Sequence, residues 1–312
     1  MKERIKDIIA ISLIILLIIN IITGVIIISV NAKKGSILST GVSAIVGNVG
    51  VVDIKGPIFS SDDDFFTSYA NADKIAEKIK IFSDTPTIKA IRLDITSPGG
   101  SVSAAETIVS ALDYAKSKNK KVVVFMKELA TSGAYYVSAP ADYIISSRGT
   151  IIGNIGVIVQ LANIKELLNK IGLKFYTFKS GEYKDILSPY RDISESEKKL
   201  IQRIIDIYYN RFIEVILKYR GDKIKKSELL KIADGRILVE DDALSYNLID
   251  EIGNETSIEE VLKKLTGEKS ITYVRLPEKK SILLDLIKSK INSIFFTSME
   301  YNRSIKVLYL TY

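Results

Sequence analysis

The stretch "IKAIRLDITSPGG", Ile88 to Gly100, joins a strand pattern to a sharp turn. Ile91, Leu93 and Ile95 alternate onto one side, and the run ends in Ser97-Pro98-Gly99-Gly100, a turn signal. Downstream, Val102, Ala105, Ile108, Val109, Leu112 and Ala115 form one stripe at helical spacing over Ser101 to Lys118. "KVVVFM", Lys121 to Met126, is then a continuous apolar run, the pattern of a strand buried on both faces. Strand, helix and strand joined by short turns imply crossover units, so the fold class predicted is α/β with a largely parallel sheet.

The alternation continues in both directions. "AIVGNVGVVDIKGPI", Ala44 to Ile58, reads as a strand ending at Gly56-Pro57, and Asn71 to Ser83 carries Ile75, Ile79 and Phe82 at helical spacing. "YIIS" (143–146) and "GVIVQL" (156–161) predict short strands, "IKELLNKI" (164–171) a helix and "LKFYTF" (173–178) another strand. Ser194 with Glu197 predicts a capping box that opens a helix running to about Tyr219, before Gly221. Thr256 with Glu259, and Gly267 beyond, bracket a further helix. "SILLDLIKSKINSIFF" (281–296) is amphipathic and predicts a helix packed on the body or on a sister subunit.

Composition narrows the chemistry. The 312 residues include no His and no Cys, which excludes a Ser-His-Asp triad, a thiol nucleophile and the usual zinc ligand sets. The 44 Lys plus Arg exceed the 37 Asp plus Glu, for a formal charge of +7. No run mixes Arg with aromatics as a nucleic-acid surface would, so the excess charge suits anionic lipid instead. The acidic runs at Asp62 to Asp64 and Glu240 to Asp242 lack calcium-loop spacing, and no nucleotide-binding glycine pattern occurs; neither metal nor cofactor is expected.

The amino terminus predicts a membrane anchor. "IIAISLIILLIINIITGVIIISV", Ile8 to Val30, is 23 residues without a charge, enough to cross a hydrocarbon core of about 30 Å. It is followed by "NAKK" rather than a small-residue cleavage site, so an uncleaved anchor is expected. Lys2, Arg4 and Lys6 before the span, against Lys33 and Lys34 after it, favour a cytoplasmic amino terminus and an extracytoplasmic body at the cell membrane. The organisation expected is therefore a short cytoplasmic segment (1–7), the anchor (8–30), a linker (31–43), a catalytic domain (44–268), and a C-terminal strand and amphipathic helix (269–312).

Catalytic candidates come from "ELATSGAYYVSAPAD", Glu128 to Asp142. Ser132 follows a buried strand and opens a helix, as the Ser97–Gly100 turn does, and in a parallel sheet both turns lie at the edge where ligands bind. The N–H groups of Gly133 and Gly100 can there face one developing oxyanion. Taken singly, Ser132 reads as a helix N-cap and the glycines as a turn; together they point to nucleophilic catalysis. With no His, the base must be Lys or a carboxylate. A lysine ordinarily titrates near 10.4, and lowering that by about 3 units costs about 4 kcal/mol of burial. Lys127, Lys179 and Lys184 all lie on segments able to return to the site.

The ordered set "SPGGSV", "TSGAYYVSAPAD", "GNIGVI", "KSGEYKDILSP" and "ADGRILVEDDALSYNLIDEIG" resembles the signal peptide peptidases of the SppA type, membrane-anchored Ser-Lys proteases of ClpP/crotonase-like fold with repeated β-β-α units. The resemblance implies Ser132 as nucleophile, Lys184 as general base, and Gly100 and Gly133 as oxyanion donors. Where that family has a lysine-orienting serine, this chain has Asn154, whose amide can both accept and donate. The resemblance further implies signal peptides and other apolar peptides as substrates and a homo-oligomeric ring whose neighbours complete each site. Two rival readings are a related protease that cleaves a stomatin-like membrane partner, and a catalytically silent scaffold.

Overall fold

A computed structural model describes residues 46–60 and 69–277. The expected anchor, the acidic run at 62–64 and the amphipathic segment 281–296 lie outside them. Among the described residues no helix is long and apolar enough to cross a membrane.

The strands predicted from continuous apolar runs form the middle of one sheet. β1 (Val49–Lys55), β4 (Ala90–Ser97) and β5 (Lys121–Thr131) lie side by side, flanked by β10 (Tyr273–Val274) beyond β1 and by β6 (Tyr143–Ser146) and β9 (Glu251–Ile252) beyond β5. Every neighbouring pair along this path is parallel. Two further strands, β2 (Ile58–Phe59) and β3 (Ala70–Asn71), pair separately. The architecture is thus α/β with a mostly parallel sheet.

Both sheet faces are covered, which is why Val122 to Met126 of β5 run apolar without a break; β4 alternates, and its Arg92 and Asp94 are buried as partners of each other. On one face sit α1 (Ala72–Asp84) and α2 (Val102–Ser117); Phe82 of α1 lies so close to Gly50 that an added Cβ would stand 2.4 Å from its ring. On the other face α8 (Glu255–Thr266) packs Ile258, Val261 and Leu262 against Val49, Ala90, Val123, Phe125 and Ile145. Buried within that second face is a charge cluster. Arg92, 3% exposed, holds Asp94 at 2.5 Å and Glu255 at 2.7 Å, and its guanidinium lies over the rings of Phe125 and Tyr273. Asp94 also receives Lys127 at 2.9 Å, so that buried carboxylate is paired more than once.

β5 bends. Val123 to Met126 pair with β6, the register to β4 then slips between Ile95 and Ser97, and Leu129 to Thr131 pair with β7 (Ile151–Gly153) instead. β7 in turn takes β8 (Ile237–Leu238) antiparallel. The remaining helices are the short α3 (Gly133–Ser138), α4 (Lys165–Lys170), α6 (Lys226–Ile232) and α7 (Glu240–Ser245), and the long α5 (Glu195–Arg220). Ser194 and Glu197 form the predicted capping box at the start of α5.

Three expectations differ from the structure. "GVIVQL" is not a strand; the strand is β7, just upstream, and it ends where Asn154 takes a φ of +49° and donates its backbone N–H to the Arg236 carbonyl, turning the chain off the sheet. "LKFYTF" is irregular, because no strand among the described residues pairs with it; Phe178 is 96% exposed. The N-cap of α8 is Asn254 rather than Thr256: its Oδ1 accepts from the N–H groups of Thr256 and Ser257 at 2.9 and 3.3 Å, and Ser257 completes the box.

Replacing Arg92 by Met removes the main partner of buried Asp94 and should lower unfolding stability by about 3 kcal/mol. Urea denaturation of the two proteins measures it.

Candidate functional site

Because β4, β5 and β7 run parallel, their carboxyl ends meet at one edge, and each delivers one part of the site. At the end of β5, Ser132 turns the chain into α3 with φ 51° and ψ −124°, a conformation that is costly for a residue with a Cβ. Two main-chain bonds hold it there: its N–H donates to the Gly153 carbonyl at 2.8 Å, and its carbonyl accepts from Tyr136 at 3.0 Å. Although Ser132 occupies the N-cap position of α3, its hydroxyl makes no capping bond. The helix-cap reading is therefore not what the hydroxyl does; it is free among the described residues, on a partly exposed corner.

The turn after β4 is pressed against that corner. A Cβ on Gly99 would stand 2.5 Å from the Gly133 nitrogen and 2.9 Å from the Ser132 Cβ, and one on Gly100 only 2.2 Å from the Ile58 carbonyl oxygen. The two glycines thus permit a double backbone approach, to the Ser132 turn on one side and to β2 on the other. Ser97 closes the turn by accepting the Gly99 N–H at 3.1 Å. β2 bonds through the N–H of Ile58 to Gly99 and through its carbonyl to Ser101, which leaves the Gly100 N–H without an acceptor among the described residues. The Gly133 N–H, first in its helix, has no intrahelical acceptor. A Cβ on Gly133 would lie 3.1 Å from the Gly100 nitrogen, so the two free donors are neighbours. Two unspent N–H groups beside a free hydroxyl suit a tetrahedral oxyanion.

Asn154 is brought to the same place by the Thr131 to Gly153 register of β5 and β7. Its Nδ2 donates to the Gly235 carbonyl at 2.7 Å, and its Oδ1 accepts nothing among the described residues. The 234–236 turn that it grips is itself locked by Arg236 on Asp234 at 2.7 Å. This gives the "ADGR" motif its role.

Ser132, Gly133, Gly100 and Asn154 line one cleft of about 670 Å³, whose walls include Val102, Ala105, Tyr136, Ile155 and Phe212. No lysine lines it. Lys127 is bound to Asp94 in the sheet's charge cluster, and Lys179 to the Asp185 carboxylate at 2.6 Å. Lys184 is exposed, on a turn within the 157–193 arm, most of whose residues are exposed or half-buried. That turn is anchored through ions. Asp185, next to Lys184, is gripped by Arg191 at 2.8 Å, and Arg191 also binds Glu197 at 2.5 Å, at the buried start of α5. Arg191 and the Ser194 N–H hold the Glu197 carboxyl down at about 2, and Arg191 with Lys179 holds Asp185 well below the ordinary carboxylate range.

The roles of Ser97, Gly99, Tyr136, Phe212 and the Asp185-Arg191-Glu197 chain were not singled out from sequence. Gly99 carried a signal as half of a Gly-Gly pair, and Glu197 as the partner of Ser194 in the predicted capping box.

A free serine at a strained strand-to-helix corner, facing two unspent N–H groups, is the arrangement of a serine hydrolase. Comparison with known proteins agrees. Residues 114–269 match Peptidase family S49. An Enterococcus faecium protein provisionally named signal peptide peptidase SppA is 30% identical over 250 residues, covering 80% of this chain and 68% of that protein. A Methanocaldococcus jannaschii protein provisionally named a protease is 39% identical over 191 residues, 61% of this chain and 60% of its own length. Protease 4 of Haemophilus influenzae is 30% identical over 227 residues, 73% of this chain; the chain spans only 36% of that longer protein. Among solved structures, a lysine-to-alanine mutant of a membrane-bound stomatin-specific protease with a substrate peptide has a TM-score of 0.50 at 19% identity, covering 78% of this chain and 98% of that one, a likeness of fold. The chain belongs to peptidase family S49.

Two outcomes are expected. Gly99→Ala should push the Gly133 N–H out of place and reduce any Ser132-dependent turnover at least 100-fold, the scale of losing one oxyanion donor; active-site labelling of Ser132 checks it. Because the folded value of Glu197 lies below its ordinary one, its contribution to arm order is present above about pH 4 and is lost as pH falls through about 2. In Arg191→Ala the Glu197 carboxyl should titrate higher, toward the ordinary value of about 4.3 but still below it because the Ser194 N–H remains, as read by carbon NMR.

Proposed function

We propose that the protein is a membrane-anchored serine endopeptidase with a Ser132–Lys184 dyad that degrades remnant signal peptides. The observation that carries the reading is the free Ser132 hydroxyl beside the adjacent, unspent N–H groups of Gly100 and Gly133. In this mechanism Ser132 Oγ attacks the peptide carbonyl carbon while its proton passes to the neutral Nζ of Lys184, and the Gly100 and Gly133 N–H groups hold the oxyanion. The C–N bond then breaks, and Lys184 returns the proton to the leaving amine. Water, deprotonated by the same amine, releases the acyl group from Ser132 by the reverse route.

Lys184 reaches the cleft from a second copy of the chain. Three observations support this reading: no lysine among the described residues lines the cleft, the Lys184 turn is exposed on the 157–193 arm, and that arm presents Ile158, Leu167, Ile171, Tyr176 and Phe178 with more than half their surface exposed. A neighbour's surface would cover those side chains. Asn154 Oδ1, free of other donors, is placed to orient the incoming amine. The anchor Ile8–Val30 holds the body at the outer face of the membrane, where apolar peptides are left, and the ClpP/crotonase-like reading of the fold fits a ring of such subunits. The stomatin-partner reading rests on likeness of fold alone.

Full-length protein in lipid should cleave an apolar signal-peptide mimic faster as pH rises from 6 to 10, since the base must be neutral. Ser132→Ala and Lys184→Ala should each lose about 1,000-fold or more. Mixing the two silent variants should restore activity, because some interfaces then join an intact serine to an intact lysine. A silent mixture would show that the arm closes within its own chain, and an inert wild type in a folded, assembled state would favour the scaffold.

A further inference from the structure

Helix α5 turns Gln202, Ile205, Asp206, Tyr209 and Phe212 toward the cleft, at spacings that place them on one stripe. The stripe is graded. Phe212 is buried and packs edge-to-face on Tyr136 at 5.0 Å; Ile205 and Tyr209 are half-buried; Gln202 and Asp206 are exposed. The cleft is therefore apolar and aromatic at the Phe212 end and polar at its mouth.

Its charge is one-sided. Among the described residues of the lining, the side chains charged at neutral pH are two aspartates, Asp206 and Asp234, with no Lys or Arg. Asp234 is matched by Arg236 at 2.7 Å. Asp206 forms no ion pair among the described residues; its Oδ1 accepts from the neutral amide of Gln202 at 2.8 Å, which leaves the carboxylate's charge uncompensated. Tyr208 and Tyr209 stand beside it in the wall. An uncompensated carboxylate next to aromatic side chains suits a cation on a flexible alkyl stem, which lays its methylenes along the rings and keeps its head at the polar mouth.

We infer that Asp206 is a specificity-determining residue that selects peptides bearing a Lys or Arg side chain two or three residues from the apolar side chain held at the Phe212 end of the cleft. The spacing follows from geometry. Six helical residues separate Asp206 from Phe212, about 9 Å along the axis, and an extended peptide advances about 3.3 Å per residue. The substrate class is thus a peptide in which an apolar run meets a basic residue, rather than one uniformly apolar. The inference rests on the proteolytic reading of this cleft.

The test uses the full-length protein in lipid and peptides of one length in which lysine, norleucine or glutamate is walked through successive positions. The kcat/KM ratio of lysine to norleucine should reach about three- to fivefold at one or two positions, the size of a single partly exposed ion pair, with glutamate disfavoured. The ratio should fall to near one in Asp206→Asn, return in Asp206→Glu and invert in Asp206→Lys. The same peptides are bound to the Ser132→Ala protein and followed by fluorescence anisotropy, which needs no turnover. A lysine preference in binding that disappears in Ser132→Ala/Asp206→Asn upholds the inference even if Ser132 proves not to be the nucleophile. Cleavage with no lysine preference, or a preference that survives Asp206→Asn, overturns it while leaving the protease reading standing.

Discussion

Two backbone turns touch in this structure, and everything at the site depends on that contact. The turn after β4 and the corner after β5 approach so closely that no side chain fits at Gly99, while β2 leaves no room for one at Gly100 on the other side. What the approach yields is chemical: amide groups that would otherwise bond within a turn or a helix are left without acceptors on the side where the Ser132 hydroxyl stands. A parallel sheet makes this possible because neighbouring strands end at the same edge, so their following turns share one neighbourhood. The slip in register between Ile95 and Ser97 then lets the end of β5 leave β6 and take up β7, which is how Asn154 enters the group.

The rest of the molecule holds these turns still. Arg92 ties β4 directly to Glu255, the first residue of α8, while also pairing with Asp94 on its own strand, and Tyr135, Ile144 and Leu248 are fully buried. Tyr135 donates to the Leu248 carbonyl at 2.9 Å, so the short helix α3 is bonded to a distant segment as well as packed. The strain at Ser132 is sustained by this surrounding: one bond to Gly153 and one from Tyr136 set its peptide planes.

How much of this was legible in the sequence depends on how local the signal is. β4, its turn and α2 were readable because strand alternation, Pro-Gly-Gly and a helical stripe follow one another without a gap. The strand 143–146 and the Ser194–Glu197 capping box were equally local, and both are found as read. In the arm only the helix at 165–170 was readable: "GVIVQL" and "LKFYTF" have strand composition, but strands exist by pairing, and no neighbour stands beside them among the described residues. Ser132, Gly133, Gly100 and Asn154 gather in one cleft, whereas Lys184 stays apart on the arm, a separation that no spacing in the chain announces. Asp206 escaped notice because an acid on an exposed helix face looks ordinary until the helix is known to form a wall.

β10 lies beside the first strand rather than the last. Thr272 bonds to the Asn48 side chain at 2.8 Å across 224 residues of sequence, and Val49 pairs with Tyr273. At ribosomal rates of about 5 to 20 residues per second, roughly ten to forty-five seconds separate the synthesis of these two segments. Throughout that interval β1 has no partner on one side, and its unpaired amides and carbonyls are open to any other extended chain. Completion of this sheet is therefore a late event in the life of each nascent molecule, and a truncation shortly before residue 272 would leave the Val49–Gly50 end of β1 open as well.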